Sequence, residues 1–213
     1  MTSAPPRSVA ALRALVGVTV IGILGYTYAI GIPLRGASLV DYFGYFTNLT
    51  SLLTALVLVS SGVLGLRRRS VPGWFDTARG ASVASMLVVA LVYNLVVPGT
   101  GSAPVWVSVT LHLVLPLLVL IDWVLVPDRA PQPWRRLWVV LPYPVIWLIV
   151  VLLRGATDGW VPYGFLLPER GVVALCATVA ALLVTLLASA ALVWRLSRLR
   201  QPGTAVDQPL AQP

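Results

Sequence analysis

The chain of 213 residues has one histidine, His112, set inside the apolar run PVWVSVTLHLVLPLLVLIDWVLV. An imidazole accepts a proton near neutral pH and can act as base toward a nearby hydroxyl. A threonine hydroxyl that gives up its proton can attack an acyl carbonyl. The hydroxyls that invite this pairing cluster in a second apolar run, DYFGYFTNLTSLLTALVLV, from Asp41 to Val59. Thr47, Thr50 and Thr54 fall at i, i+3 and i+7, one face of a helix. Asn48 and Ser51 form a second polar row beside them. The oxyanion produced by such an attack needs hydrogen-bond donors, and Asn48, Asn94 or Tyr93 could supply them.

Other chemistries find little to work with. One histidine without a carboxylate at the same depth falls short of a metal-ligand set, so the expectation is no metal and no cofactor. Phosphate-binding, dinucleotide-binding, nucleophile-elbow and zinc-protease motifs do not occur in the sequence. Cys176 stands alone within an apolar run, which reads as a small buried side chain. Asp122 lies near one end of its run, where it is expected to pair with an arginine such as Arg67 or Arg136.

These residues must be carried by membrane-spanning elements. The composition is 58% hydrophobic and 10% charged, against about 25% charged in an ordinary soluble domain. A spanning helix needs about 20 apolar residues. Six stretches qualify, near 9–30, 43–66, 79–97, 104–126, 136–153 and 171–194. The expected fold is an all-α polytopic membrane protein, a bundle of six transmembrane helices over 1–194. Residues 195–213, rich in proline and glutamine, are expected to form a disordered cytoplasmic tail. All fifteen basic residues are arginine. Arg7, Arg13, Arg67, Arg68, Arg69, Arg79, Arg129, Arg135, Arg136, Arg195, Arg198 and Arg200 fall at one end of the spans. Only Arg35, Arg154 and Arg170 fall at the other. The excess of arginine marks the cytoplasmic side, so both termini are expected there, in a multi-pass protein of the cell membrane. The net charge of +8 then belongs to lipid headgroups and topology, and nucleic acid is not an expected partner. Membrane lipids are. The oligomeric state is not legible in the sequence.

Depth brings the two runs together. At 1.5 Å per residue, Thr47 lies roughly 6 Å and Thr50 roughly 10 Å below the start of span two near Phe43. His112 lies roughly 12 Å below Pro104, with Ser108 one turn above it on the same face. Pro116 has no N–H for the carbonyl of His112, so a kink and a freed carbonyl are expected there. Tyr93 and Asn94 end span three at this level. Pro142 and Pro144 interrupt span five beside Tyr143 and Trp147. The outer loop GATDGWVPYGFLLPERG, with Trp160, is too aromatic for a plain linker and is expected to fold back as a lid. The sum is a pocket open toward the outer leaflet. Helix packing accounts for a threonine and serine row equally well, whereas an ionisable side chain within a span points to a functional site.

Taken together, YFTNL near the top of span two, HLVLPLLVLID in span four and the loop TDGWVPYGFL resemble the androgen-induced membrane hydrolases. The same pattern is similar to bacterial six-span membrane proteins of unassigned function. The resemblance covers spans two to five and the last outer loop. It implies a six-span fold, hydrolysis of a fatty acid ester as substrate, Thr47 as nucleophile and His112 as base. Thr50, one turn deeper, stays an alternative nucleophile. A non-enzymatic lipid- or partner-binding protein and, further off, a small-solute transporter remain rival readings of the same pocket.

Overall fold

The computed structural model describes residues 5–69, 72–99 and 103–199. Most of the expected tail, 200–213, lies outside the described residues. The fold is all-α, with no strand among the described residues. Helix α1 spans Arg7–Arg35 and is followed by a short α2, Leu39–Gly44. Then come α3 (Phe46–Leu66), α4 (Gly73–Leu95), α5 (Val105–Leu125), α6 (Trp134–Thr157) and α7 (Val172–Leu196). All but α2 are long and apolar enough to cross a membrane, which makes six spans. They alternate in direction, so the start of α1 and the end of α7 share one end of the bundle, called here the termini end.

Local chemistry sets several of these boundaries. Ser38 caps α2, its hydroxyl accepting from the N–H of Asp41 at 3.1 Å. Tyr45 is extended, which separates α2 from α3 and makes Phe46 the first residue of α3. Helix α6 opens as a 3₁₀ stretch over Trp134–Val140 and becomes α-helical only at Pro142. Pro142 and Pro144 cannot donate to the carbonyls four residues back, so the regular ladder begins after them. Helix α5 carries a π-helical turn over Thr110–Val114, where the N–H of Leu115 reaches the carbonyl of Thr110. The irregularity expected at Pro116 thus takes the form of a widened turn around His112.

Helix α4 is central, packing against α3, α5 and α7. The most intimate pair is α1 with α3. A Cβ on Gly62 would lie 2.6 Å from the carbonyl oxygen of Ala10, and one on Gly17 would lie 2.7 Å from that of Ala55. The absence of side chains at these positions lets the two backbones meet, as small residues do between membrane helices. Gly80 of α4 leaves room for the rings of Trp123 and Trp194, both fully buried. Outward faces are apolar: Ile146, Ile149 and Val184 are among the large exposed side chains. Cys176, expected to be buried, lies on an exposed face of α7.

The termini end is closed by charge. Arg13, expected to flank span one, sits inside α1 with only 3% of its side chain exposed. It pairs with Asp122 at 2.8 Å and also with Asp128. Arg79 lies inside α4, since that helix begins at Gly73 rather than near 79, and reaches Asp122 at 3.3 Å and Asp128 at 3.1 Å. The partners of Asp122 are therefore Arg13 and Arg79, not Arg67 or Arg136. The linker between α5 and α6 is no surface strap. Its Asp128, Arg129 and Gln132 are buried, and Gln132 accepts from Thr77 at 2.8 Å. Burial pushes the Asp128 carboxyl up, but the hydrogen bond from Arg13 and the charges of Arg79 and Arg13 outweigh it and hold the group below its ordinary range.

Candidate functional site

Toward the other end, the far end, the helices enclose a cavity of about 780 Å³ lined by residues of all six spans. Its walls are mostly aliphatic, including Val88, Val89, Leu111, Leu182 and Leu186. Thr47 and His112 face each other across one side. Thr47 stands in the first turn of α3, which the extended Tyr45 fixes at this depth. His112 stands in the π turn of α5. Such turns recur at functional sites because they re-aim a side chain within a helix.

The hydroxyl Oγ1 of Thr47 lies 3.2 Å from Nε2 of His112. On the other side of the ring, Nδ1 lies 2.8 Å from the backbone carbonyl of Ser108 and 3.3 Å from its hydroxyl. A carbonyl only accepts, so Nδ1 carries the proton. In its neutral form the ring then presents Nε2 as an acceptor to Thr47, whose hydroxyl donates. A base, a hydroxyl and a third group that fixes the base's tautomer are the parts of a nucleophilic site. Tyr93 lies flat on the imidazole, ring centroids 3.6 Å apart and planes 14° from parallel. Its hydroxyl accepts from Ser108 Oγ at 2.6 Å. Tyr93 thus holds both the imidazole and the residue that orients it.

Asn94 acts from behind. Its amide donates to the carbonyl of His112 at 3.1 Å and to that of Ala90 at 2.8 Å. Both its protons are engaged, so it supports the backbone of His112 rather than pointing a donor at Thr47. Asn48 lines the cavity, but its amide donates to the carbonyl of Tyr42 at 2.8 Å. Of the two asparagines expected to hold an oxyanion, Asn94 is thus committed to backbone, and Asn48 gives one of its two amide protons to it. Thr50 is 1% exposed and bonds the hydroxyl of Tyr143 at 2.7 Å. Neither Thr50 nor Tyr143 lines the cavity. Deeper on the same helix, the hydroxyls of Ser51 and Thr54 are buried with no hydrogen-bond partner.

Trp147 lines the cavity and donates to the carbonyl of Gly44 at 2.8 Å, tying α6 to the α2–α3 break. Trp160 lies elsewhere. It packs on Gly44 and Tyr45 and under the guanidinium of Arg154, 4.4 Å from its ring centre. Arg154 in turn pairs with Asp41 and Asp158, each at 2.7 Å. Trp160 therefore buttresses the far end instead of lining the cavity.

The far-end loop does fold back. Pro162, Tyr163, Gly164 and Phe165 line the cavity, and Leu166 is fully buried. Tyr163, one aromatic among several in the loop sequence, is set apart only by the fold, which brings it beside Thr47. Burial pushes its phenol up to about 12, against the lowering influence of the neighbouring Thr47 and the backbone of Phe46. A phenol that keeps its proton next to Thr47 is a donor. Among the described residues, no group of three His, Cys, Asp or Glu side chains gathers where it could hold a metal ion.

The fold and the site together define a six-span membrane protein with a threonine–histidine pair set in an apolar cavity. Compared with family models, curated proteins and solved structures, the chain matches none.

Proposed function

We propose that the chain is an intramembrane lipid-ester hydrolase. His112 Nε2 takes the proton of Thr47 as Oγ1 attacks the acyl carbonyl. The tetrahedral oxyanion forms beside the Tyr163 phenol, which donates to it. The imidazolium returns its proton to the leaving alkoxide, and the alcohol departs. Water, deprotonated by the same imidazole, then hydrolyses the threonyl ester and releases the fatty acid. The observation that carries this reading is the single chain of contacts from Thr47 Oγ1 through Nε2 and Nδ1 to the Ser108 carbonyl, at 3.2 and 2.8 Å. The resemblance to the androgen-induced hydrolases supports it, as does a cavity whose walls suit a hydrocarbon chain. Membrane lipids supply the ester. With arginine concentrated at the termini end, that end faces the cytoplasm of a bacterial cell and the cavity lies within the outer leaflet.

The test is covalent. A fluorophosphonate probe should label purified wild-type protein and spare Thr47→Ala and His112→Ala. Undiminished labelling of both variants would refute the assignment. A lipid-binding protein without turnover is the second reading, favoured by the commitment of both Asn94 amide protons to backbone carbonyls. It requires that both variants bind lipid as the wild type does and that the wild type cleaves no ester. A solute transporter has less support, because ion pairs and the buried Trp123 and Trp194 fill the bundle beneath the cavity.

A further inference from the structure

Among the described residues, the close backbone packing of α6 on α7 is concentrated at one end. The 3₁₀ stretch Trp134–Val140 packs against α7, and Trp194 donates to the carbonyl of Pro133 at 3.2 Å. Beyond Pro142 the helix departs. Among the described residues, the segment Pro142–Thr157 has at most sparse backbone packing with α3, α4 and α7, and its ties to α3 run through side chains, Tyr143 on Thr50 and Phe46 and Trp147 on Phe46. At the far end the seam is roofed by the short turns Gly164–Leu166 and Pro168–Arg170, which pack on α7. The result is a window on the side of the bundle, closed below and above.

The window opens onto the cavity that holds Thr47 and His112. Val145 of α6 and Leu183 of α7 line that cavity and are also exposed, at 39% and 41%. Leu148, Val179 and Leu182 continue the apolar lining inward from the seam. Outside it, Ile149 and Val184 present the apolar faces expected toward lipid. No polar side chain among these residues would hold a water-soluble ligand. A hydrocarbon chain meets the same surroundings on both sides of the window and loses no hydration in crossing it.

We propose that the seam between α6 and α7 is a lateral portal, through which the acyl chain of a bilayer lipid slides sideways from the leaflet into the cavity. The route rests on the ester-hydrolase reading only for what happens once the carbonyl arrives beside Thr47. Entry from the side spares the lipid any passage through water. It also accords with α6 and α7 being the two least buried spans.

The test uses full-length protein in phosphatidylcholine vesicles carrying a lipid analogue with a diazirine near the end of its acyl chain. After photolysis, label is expected on Val89, Leu111 and Leu186, which line the cavity at 3%, 3% and 4% exposure and are shielded from the surrounding bilayer. The variant Val145→Trp/Leu183→Trp adds bulk in the seam at positions already facing lipid. It should lower that interior labelling about tenfold while leaving label on the outward Ile149 and Val184 unchanged, since added volume in a filled gap excludes a ligand. Should the double variant misfold, Leu183→Trp alone is read in the same way. Interior labelling that is absent in the wild type, or that persists undiminished in the folded seam variants, overturns the portal. Thr47→Ala should keep interior label, since entry does not use its hydroxyl. Interior label in a wild type that cleaves no ester removes the hydrolase and leaves the route standing.

Discussion

Thr47 and Thr50 are one helical turn apart, yet their hydroxyls have different partners: His112 Nε2 for one, the phenol of Tyr143 for the other. Thr47→Ala should lower ester turnover by about three orders of magnitude or more, as loss of a nucleophile does. Thr50→Val should leave turnover within about threefold and cost about 1–3 kcal/mol of stability, because it strands the Tyr143 hydroxyl. Turnover assays and thermal unfolding of detergent-solubilised protein distinguish the two. Asn94 predicts a third pattern. Asn94→Leu removes the donor from the His112 carbonyl, so kcat should fall about tenfold with KM little changed, the mark of a group that aligns the base. The meeting of Thr47 with His112 was legible in the sequence, because depth along two helices is fixed by the rise per residue. The choice between Thr47 and Thr50 was not, since rotation about the helix axis depends on where α3 begins and on what α6 brings beside it. The duties of Asn48 and Asn94 were hidden for a similar reason. A buried amide first satisfies the nearest carbonyl, and which carbonyl lacks a partner is a property of the folded backbone.

The six spans were readable as elements because hydrophobic length is a direct consequence of bilayer thickness. Their ends were less readable. Helix α4 begins at Gly73 and carries Arg79 inside the bundle, where a hydropathy reading stops at the first charge. Two elements bear most directly on the site. The π turn of α5 aims His112, and the α1–α3 pair sets the frame from which Thr47 is presented. That pair depends on glycine. Gly62→Val would drive side-chain atoms into the carbonyl of Ala10 and the backbone of Ala14. It should lower stability by about 1–3 kcal/mol, the usual range for overpacking, and appear as a reduced melting temperature. Gly25, whose Cβ would meet nothing within 4 Å, provides the control: Gly25→Ala should be neutral or slightly stabilising in a helix interior.

The molecule as a whole is sealed at the termini end and hollow at the far end. Arg13, Arg79, Asp122 and Asp128 bring together α1, α4, α5 and the linker after α5. Removing one member of such a buried set leaves the others uncompensated, so Asp128→Asn should cost about 3–5 kcal/mol. The folded protein holds the Asp128 carboxyl below its ordinary 3.8. Its contribution is therefore complete above that pH and is lost as pH falls through the lower folded value. Melting temperatures measured from pH 7 down to pH 3 should drop on the acid side in the wild type, with a smaller drop in Asp128→Asn. That Asp122 pairs with an arginine was legible in the sequence, but neither which arginines nor the part of Asp128 was. Asp128 sits among prolines and an arginine, the composition of an exposed linker, and only the tertiary arrangement carries it under the bundle.

That arrangement bears on how the protein is made. Arg13 leaves the ribosome and meets the bilayer when neither Asp122 nor Asp128 has yet been translated. An unpaired guanidinium in the second turn of a spanning helix reaches back to the headgroups. The first helix is therefore expected to sit with Arg13 at the membrane surface until the fourth has emerged and brought its carboxylates. In a nascent chain arrested after the third span, a cysteine placed beside Arg13 should react with a water-soluble maleimide, and in one arrested after residue 133 it should be shielded. Closure of the termini end would then be a late step, when opposite charges synthesised more than a hundred residues apart first come within reach.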